Sequence, residues 1–447
     1  MHNEAVLREI ARKALEFSKG YDAEILLSSS DSALTRFGDN VITQNVSKSS
    51  VGLSIRLMKD GRMGKASTGN ISDEGLHRCV EVAVKALEVS EPDSSLLPLL
   101  PQQDYIEKST FFKNSHQLSP EFKADGVVRG VNACKESGLI AAGIFSNSGS
   151  ASALANSEGL WAYHDTSRAT FSISAMSDDS SGWAEDSDAN VDKIDVDKAI
   201  VTAVKVAMDS REPASLEPGK YTVIFEPTAV ADFMLFLGWE GLNGLSFVEG
   251  RSCFSGKVGE KVVGDNITIT DDFTHPLTPG TPFDFEGAAR QKVTMIENGV
   301  FKQAVHDRRT AAIAGVEQTG HALPQPDTNG PTPLNLVMSS GDSSLEEMIA
   351  STKNGVLVRK LHYTNILNPK TLMLTGMTRD GFFLIEDGKV TKGLKNMRFT
   401  DSVLRVLSNV EALSKQLYKT ETFWGGGGTV VPAIKVKDFH FTSKTEN

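Results

Sequence analysis

The chain has 447 residues, with 40% hydrophobic and 23% charged side chains. That is room for two or three domains of roughly 100–200 residues, with a core of ordinary size that needs no disulfides or metals. The formal net charge of −11, from 57 acidic and 46 basic side chains, argues against a phosphate-backbone binder, and no Lys/Arg run supplies a local basic patch.

Residues 3–18 predict an amphipathic helix, with Leu7, Ile10, Ala11, Ala14 and Leu15 on one face and Gly20 as the stop. A strand-rich stretch follows over 22–68, with Lys59-Asp60-Gly61 as a hairpin turn, and then a helix over 73–89. The segment from Glu91 to Gln103, with prolines at 92, 98 and 101, reads as a linker. The pattern then recurs. Ser119-Pro120 opens a helix running to Gly138, strands follow over 139–176, and another helix covers 195–209. A Ser-Ala-Leu at 32–34 and again at 152–154 fits a duplicated helix–sheet–helix unit. The acidic, Ser-rich run 177–193 reads as an exposed loop.

From about 217 the character changes. Tyr221 to Phe225 is a predicted strand, and Pro227 starts a helix burying Val230, Phe233, Met234 and Leu237. Beyond Gly250 the chain is turn-rich, with Ile296-Glu297-Asn298-Gly299 and Ile385-Glu386-Asp387-Gly388 as hairpin signals, because both central positions of such a turn need positive φ. Short helices are expected at 343–353 and 401–415. The class is α+β: an N-terminal helix–sheet–helix region, read as duplicated, then a large domain of mainly antiparallel sheets with attached helices. The expected domains are 1–91, 104–210 and 217–447.

Chemistry-bearing motifs fail one by one. Gly250–Lys257 has five residues between its glycines where a phosphate loop needs four, and Val258 stands where the hydroxyl belongs. No G-x-S-x-G elbow occurs, and the Ser-rich stretch 145–152 reads as strand and turn. Gly425, Gly426, Gly427 and Gly428 lead into a strand rather than a helix N-terminus, so they read as a turn and not an anion cradle. Cys79, Cys134 and Cys253 form no C-x-x-C pair and read as small core hydrophobes. No two of the nine histidines share the four-residue helical spacing of a metal pair. Asp271, Asp272 and His275 form a small loop cluster, while His306 and His321 stand alone. Residues 3–18 hold no continuous apolar run, and the apolar stretch from Ala229 to Trp239 contains Asp232 and is too short for a bilayer, so a cytoplasmic protein is expected.

The second half nevertheless resembles the TldD/PmbA metalloprotease family over about 220–440. The resemblance rests on an ordered run of blocks: Glu249-Gly250-Arg251-Ser252, Gly256–Glu260, Asp271-Asp272-Phe273, Phe283–Gly287, Ile296–Val300, Thr319-Gly320-His321, Asn335-Leu336, Gly355–Val358, Thr375–Gly381 and Ile385–Gly388. Zinc-bearing members carry H-E-x-x-x-H on the helix after this domain's first strand, plus a cysteine near the C-terminus; the metal then activates water, with the glutamate as general base. Here Trp239 and Gly244 stand at the histidine positions, Glu240 keeps the glutamate, and the cysteine region falls on Gly425–Gly428. The resemblance therefore implies a TldE/PmbA-type subunit with no metal of its own. It implies a zinc-bearing TldD-type partner, and a chamber for unfolded or short peptides, with a homodimer as the alternative when that partner is absent. Glu240 is then read as a cap or hydrogen-bonding residue at the helix end. Two rival readings stay open. One is a stand-alone metallopeptidase with a site re-formed from Glu240, His275, His306 or His321. The other is a non-enzymatic peptide-binding regulator, since some family members are named as DNA gyrase modulators; nucleic acid and membrane are not expected as partners.

Overall fold

The computed structural model describes residues 1–420 and 428–445. Its first unit is α1 (Glu4–Phe17), β1 (Asp22–Gly38), β2 (Val41–Lys59), β3 (Arg62–Thr68) and α2 (Asp73–Val89). After a short α3 (Lys113–His116) come α4 (Pro120–Glu136), β4 (Ile140–Asn156), β5 (Trp161–Met176), β6 (Ser181–Asp188) and α5 (Val196–Asp209). Side chains of Asn3, Ser72, Ser119 and Asp195 accept from first-turn amides and fix the four long helix starts, each such cap being worth about 1 kcal/mol.

The six strands form one sheet in the order β3-β2-β1-β4-β5-β6, so the two units share a continuous ladder through β1 and β4. Duplication is visible in the register. Adding 118 to each residue number carries the pair Asp22↔Met58 onto Ile140↔Met176, and Leu53↔Thr68 onto Phe171↔Asp186. The same shift carries Gly64 onto Gly182. A Cβ on Gly64 would lie 2.1 Å from the Ala83 carbonyl of α2, and one on Gly182 would lie 2.2 Å from the Ala203 carbonyl of α5. Both units thus press a helix onto their third strand through a glycine. The two Ser-Ala-Leu tripeptides are 120 apart, two residues out of this register, so they are not equivalent positions.

The run 177–193 is not a loop, since β6 lies within it and pairs with β5. Its polar sequence hid the alternation: Gly182 and Ala184 are buried toward α5, while Ser181, Trp183 and Glu185 turn to the other face. That face, opposite the helices, carries rows of small hydroxyls, such as Ser50, Ser30, Ser150 and Thr166 paired across four strands. The stretch 145–152 is strand, and its Ser146, Ser148, Ser150 and Ser152 lie on this face.

The C-terminal half begins with β7 (Gly219–Phe225), α6 (Pro227–Phe236) and α7 (Gly244–Val248). Next come β8 (Ile269–Asp271), β9 (Val293–Glu297), β10 (Val300–Phe301), α8 (Arg308–Ala314), β11 (Leu336–Met338) and α9 (Leu345–Ala350). The chain continues with β12 (Asn354–Asn368), β13 (Met373–Glu386), β14 (Lys389–Gly393), β15 (Met397–Ser402), α10 (Val403–Ser408) and β16 (Val410–Leu413). It closes with β17 (Tyr418–Thr420), β18 (Thr429–Val431) and β19 (Ile434–Lys444). Strands β12, β7, β19, β15 and β13 close into a ring, because β12 also pairs with β13; a second sheet runs β10-β9-β8-β11-β18-β17. Only β7–β12 and β11–β18 are parallel among these ladders. The two turns read from sequence are hairpins with positive φ at Asn298, Gly299, Asp387 and Gly388. The helix expected over 401–415 is shorter, ending at Ser408 and giving way to β16, which pairs with β19. Helix α6 is buried on all sides, with Phe233 edge-on to Phe225 at 5.2 Å and against Phe399 and Phe439. All three cysteines are buried and unbridged.

Candidate functional site

Helix α6 does not fray at Gly238. It widens into a π turn over Leu237–Gly241, closed by the Leu242 amide donating to the Leu237 carbonyl at 2.9 Å. Such turns are uncommon and concentrate at functional positions. Trp239 packs its ring edge-on to Phe236 at 5.8 Å and leans on the main core. Glu240 is half-buried and makes no cap; it has no hydrogen bond or ion pair among the described residues. The backbone bond closes this turn without a side chain, so the reading of Glu240 as a cap does not hold.

Gly244 starts α7, whose N-cap is Asn243. A Cβ at Gly244 would lie 2.3 Å from the Val305 carbonyl oxygen and 2.9 Å from both His306 Nδ1 and Pro331 Cγ. The position therefore admits no side chain, let alone an imidazole, unless backbone moves. Gly425, Gly426 and Gly427 lie outside the described residues. Gly428 is described and buried, with Pro279 Cδ 2.6 Å from where its Cβ would stand. Helix α6 packs on β17 and β18, the strands that flank the glycine run. The fold thus brings together the segments that the resemblance pairs, but the residues at those positions do not fit zinc: an indole, a filled space and glycine offer no ligand. Among the described residues no three His, Cys, Asp or Glu side chains converge as a metal set.

The three histidines of the alternative site have other duties. His275 Nδ1 accepts from the Leu277 amide. His306 and His321 are buried and meet through Thr319. The Thr319 hydroxyl accepts from the His306 amide at 2.7 Å, while His321 Nδ1 lies 2.8 Å from the Thr319 carbonyl, and His321 Nε2 lies 3.2 Å from Asp271 Oδ1. Asp271 Oδ2 in turn accepts from the Leu334 and Asn335 amides, both at 2.7 Å. Burial alone would raise the Asp271 pKa; the charge and hydrogen bond of His321, with Arg290 and the Asn335 amide, outweigh it and hold the group below the ordinary carboxylate range. Asp284 caps three amides, of Glu286, Ala288 and Ala322. The blocks around 271, 284, 320 and 335 are thus one buried polar frame. Their identities were visible in the sequence; their mutual contacts, across up to 64 residues of chain, were not.

Elsewhere, a cavity of about 930 Å³ opens between β6 and the ring. Lys360 Nζ stands 3.8 Å over the Trp183 ring, Arg359 pairs with Glu226 at 3.0 Å, and Ser181 donates to Asp380 at 2.7 Å. Burial pushes Lys360 and Lys419 down and Glu185 up. Charged side chains from both halves of the chain thus line these walls. The sequence reading missed the cavity, because its walls come from segments some 200 residues apart.

Comparison with known proteins agrees along the whole chain. Residues 23–87, 113–211 and 218–443 match, in order, domain 1, the central domain and the C-terminal domain of the PmbA/TldA metallopeptidases. The chain belongs to that family. A metalloprotease of Methanothermobacter thermautotrophicus is 23% identical over 426 residues, covering 92% of this chain and 91% of that one. A protein of Saccharolobus solfataricus named a zinc metalloprotease TldD homolog is 26% identical over 260 residues, 55% of this chain and 57% of its own. The crystal structure of TldE from Thermococcus kodakarensis superposes with a TM-score of 0.87 at 25% identity, covering 98% and 99% of the two chains. No helix among the described residues is long and apolar enough to cross a membrane.

Proposed function

We propose that this chain is the metal-free, TldE/PmbA-type member of a paired zinc peptidase. In this reading it shapes a chamber for unfolded or short peptides and leaves hydrolysis to a zinc-bearing TldD-type partner. The observation that carries it is Gly244. The second ligand position is not merely substituted but filled by Val305, His306 and Pro331, while the buried frame around it is intact. A chain kept for its shape has this combination; one with a recently damaged site would retain the space. The three buried, unbridged thiols suit a reducing cytoplasm, and residues 1–91, 104–210 and 217–447 are proposed as its three units.

Co-expression with a relative that carries H-E-x-x-x-H and the C-terminal cysteine tests this. A stable complex is expected, with all zinc in the partner and peptidase activity above that of either chain alone. Stoichiometric zinc in this chain after mild purification, or failure to form any complex, would overturn the proposal.

A further inference from the structure

The 118-residue shift exposes a difference between the two repeats. In each, the third strand stops short: β3 reaches only to the Leu53 pairing on β2, and β6 only to Ala169 on β5. Beyond that point β5 is covered by the connection between the repeats. Thr110 bridges Thr166 in parallel, the Ser167 amide donates to the Thr110 carbonyl at 3.0 Å, and the Phe112 amide donates to Ser167 Oγ at 2.8 Å. Farther back, the Trp161 amide donates to Gln102 Oε1 at 2.9 Å. The equivalent edge of β2, Val41–Gly52, has no such cover. Among the described residues no strand, bridge or backbone hydrogen bond reaches its outer side, and every residue from Val41 to Ser50 is exposed.

An uncovered edge presents a row of unpaired amides and carbonyls, and natural folds usually blunt it with charge, proline or a bulge. This one carries a single charge, Lys48, no proline, and one register shift near its start, at Thr43, so that Gln44–Gly52 runs unbroken; β-branched Val41, Ile42, Thr43, Val46 and Val51 lie along it. Its inner end opens into a cavity of about 440 Å³ between Val51, Gly52, Ser54, Thr68 and Phe285, where the buried Ser54 hydroxyl has no partner among the described residues.

We propose that the Val41–Gly52 edge binds an extended polypeptide segment by strand addition, doing in trans what residues 102–112 do for β5 in cis. Main-chain hydrogen bonds would supply affinity with little dependence on sequence, and the cavity would take one side chain at the end of the segment. The inference rests on the peptide-handling part of the function proposed above and gives it a place on this chain.

The test is hydrogen–deuterium exchange on the full chain, alone and with a fluorescein-labelled twelve-residue unstructured peptide of Ser, Thr and Ala. Slowed exchange within 41–52 is expected on adding the peptide. Two versions of the probe, N-methylated at the odd or at the even amides, should differ, one binding at least tenfold more weakly and the other almost unchanged. Of Val46→Pro and Ser47→Pro, one removes an outward amide and the other a ladder bond to β1. The variant that keeps the wild-type Tm should bind about fivefold more weakly, the effect of one backbone hydrogen bond. No binding, protection confined to other segments, or protection that grows with protein concentration and no peptide would each overturn the proposal, the last pointing to self-pairing of two copies. Edge protection without any zinc-bearing complex would sink only the subunit reading, and an active complex with an unprotected edge would sink only this one.

Discussion

Two neighbouring regions of the C-terminal half have treated their polar residues in opposite ways. In the frame around Asp271, Asp284 and His321, the two aspartates meet backbone amides or an imidazole. In the degenerate motif, one ligand position holds an indole, another has no room for a Cβ, and the remaining carboxylate has no partner among the described residues. The difference teaches what holds a residue in place. A frame acid that satisfies several buried amides cannot be lost cheaply, because the amides remain. A ligand whose only duty was the metal can be replaced by whatever packs.

The sharpest way to break that contrast is Asp284→Ala. It strands three buried amides, and a loss of about 3–5 kcal/mol in urea unfolding is expected; a loss below 1 kcal/mol would show that the frame is not structural. Glu286, in the same block, tests the frame by pH. Burial first, then Asp284, pushes its pKa up from 4.5 to about 7, and its Oε2 is buried without a partner among the described residues. The folded state therefore holds this proton longer than the unfolded chain. The stability it contributes is complete below about pH 4.5 and is lost as pH rises through 7, by about 3 kcal/mol at most. Glu286→Gln should flatten the dependence of unfolding free energy on pH across that window and be the more stable form at pH 8.

On the motif side, Gly244→Ala should cost about 2–3 kcal/mol, since the Val305 carbonyl must move. Gly241→Ala should cost about 1 kcal/mol or less, because its nearest neighbour is the edge of the Phe254 ring at 3.0 Å. Equal shifts in Tm would mean that the second ligand position is no more closed than its surroundings. The smallest effect is expected from Glu240→Gln. Stability should change by less than about 0.5 kcal/mol, and peptidase activity of a complex with a zinc-bearing partner should be unchanged. A drop in that activity would return Glu240 to catalysis.

Local signals carried much of the fold in the sequence. Capping residues at Ser72 and Ser119 and the apolar stripes behind them place their helices, and the Asn298-Gly299 and Asp387-Gly388 turns place their hairpins, because those signals act within a few residues. The family was legible from the order of its blocks. What stayed hidden depends on distant partners. The strand β6 is polar and reads as loop until α5 is seen pressing on Gly182. Gly244 gives no hint in the sequence of what fills the space beside it. The frame requires that residues 271 and 335 be neighbours, and no local pattern says so.

The pairing of β1 with β4 also sets a timetable. During synthesis β1 is complete at Gly38, but its partner β4 starts only at Ile140. At roughly 5–20 residues per second the ribosome needs about 5–20 s to deliver it. For that interval the central strand of the sheet has one raw edge, of the kind that seeds aggregation. Nascent chains stalled between residues 60 and 140 should therefore be the most chaperone-dependent forms of this protein.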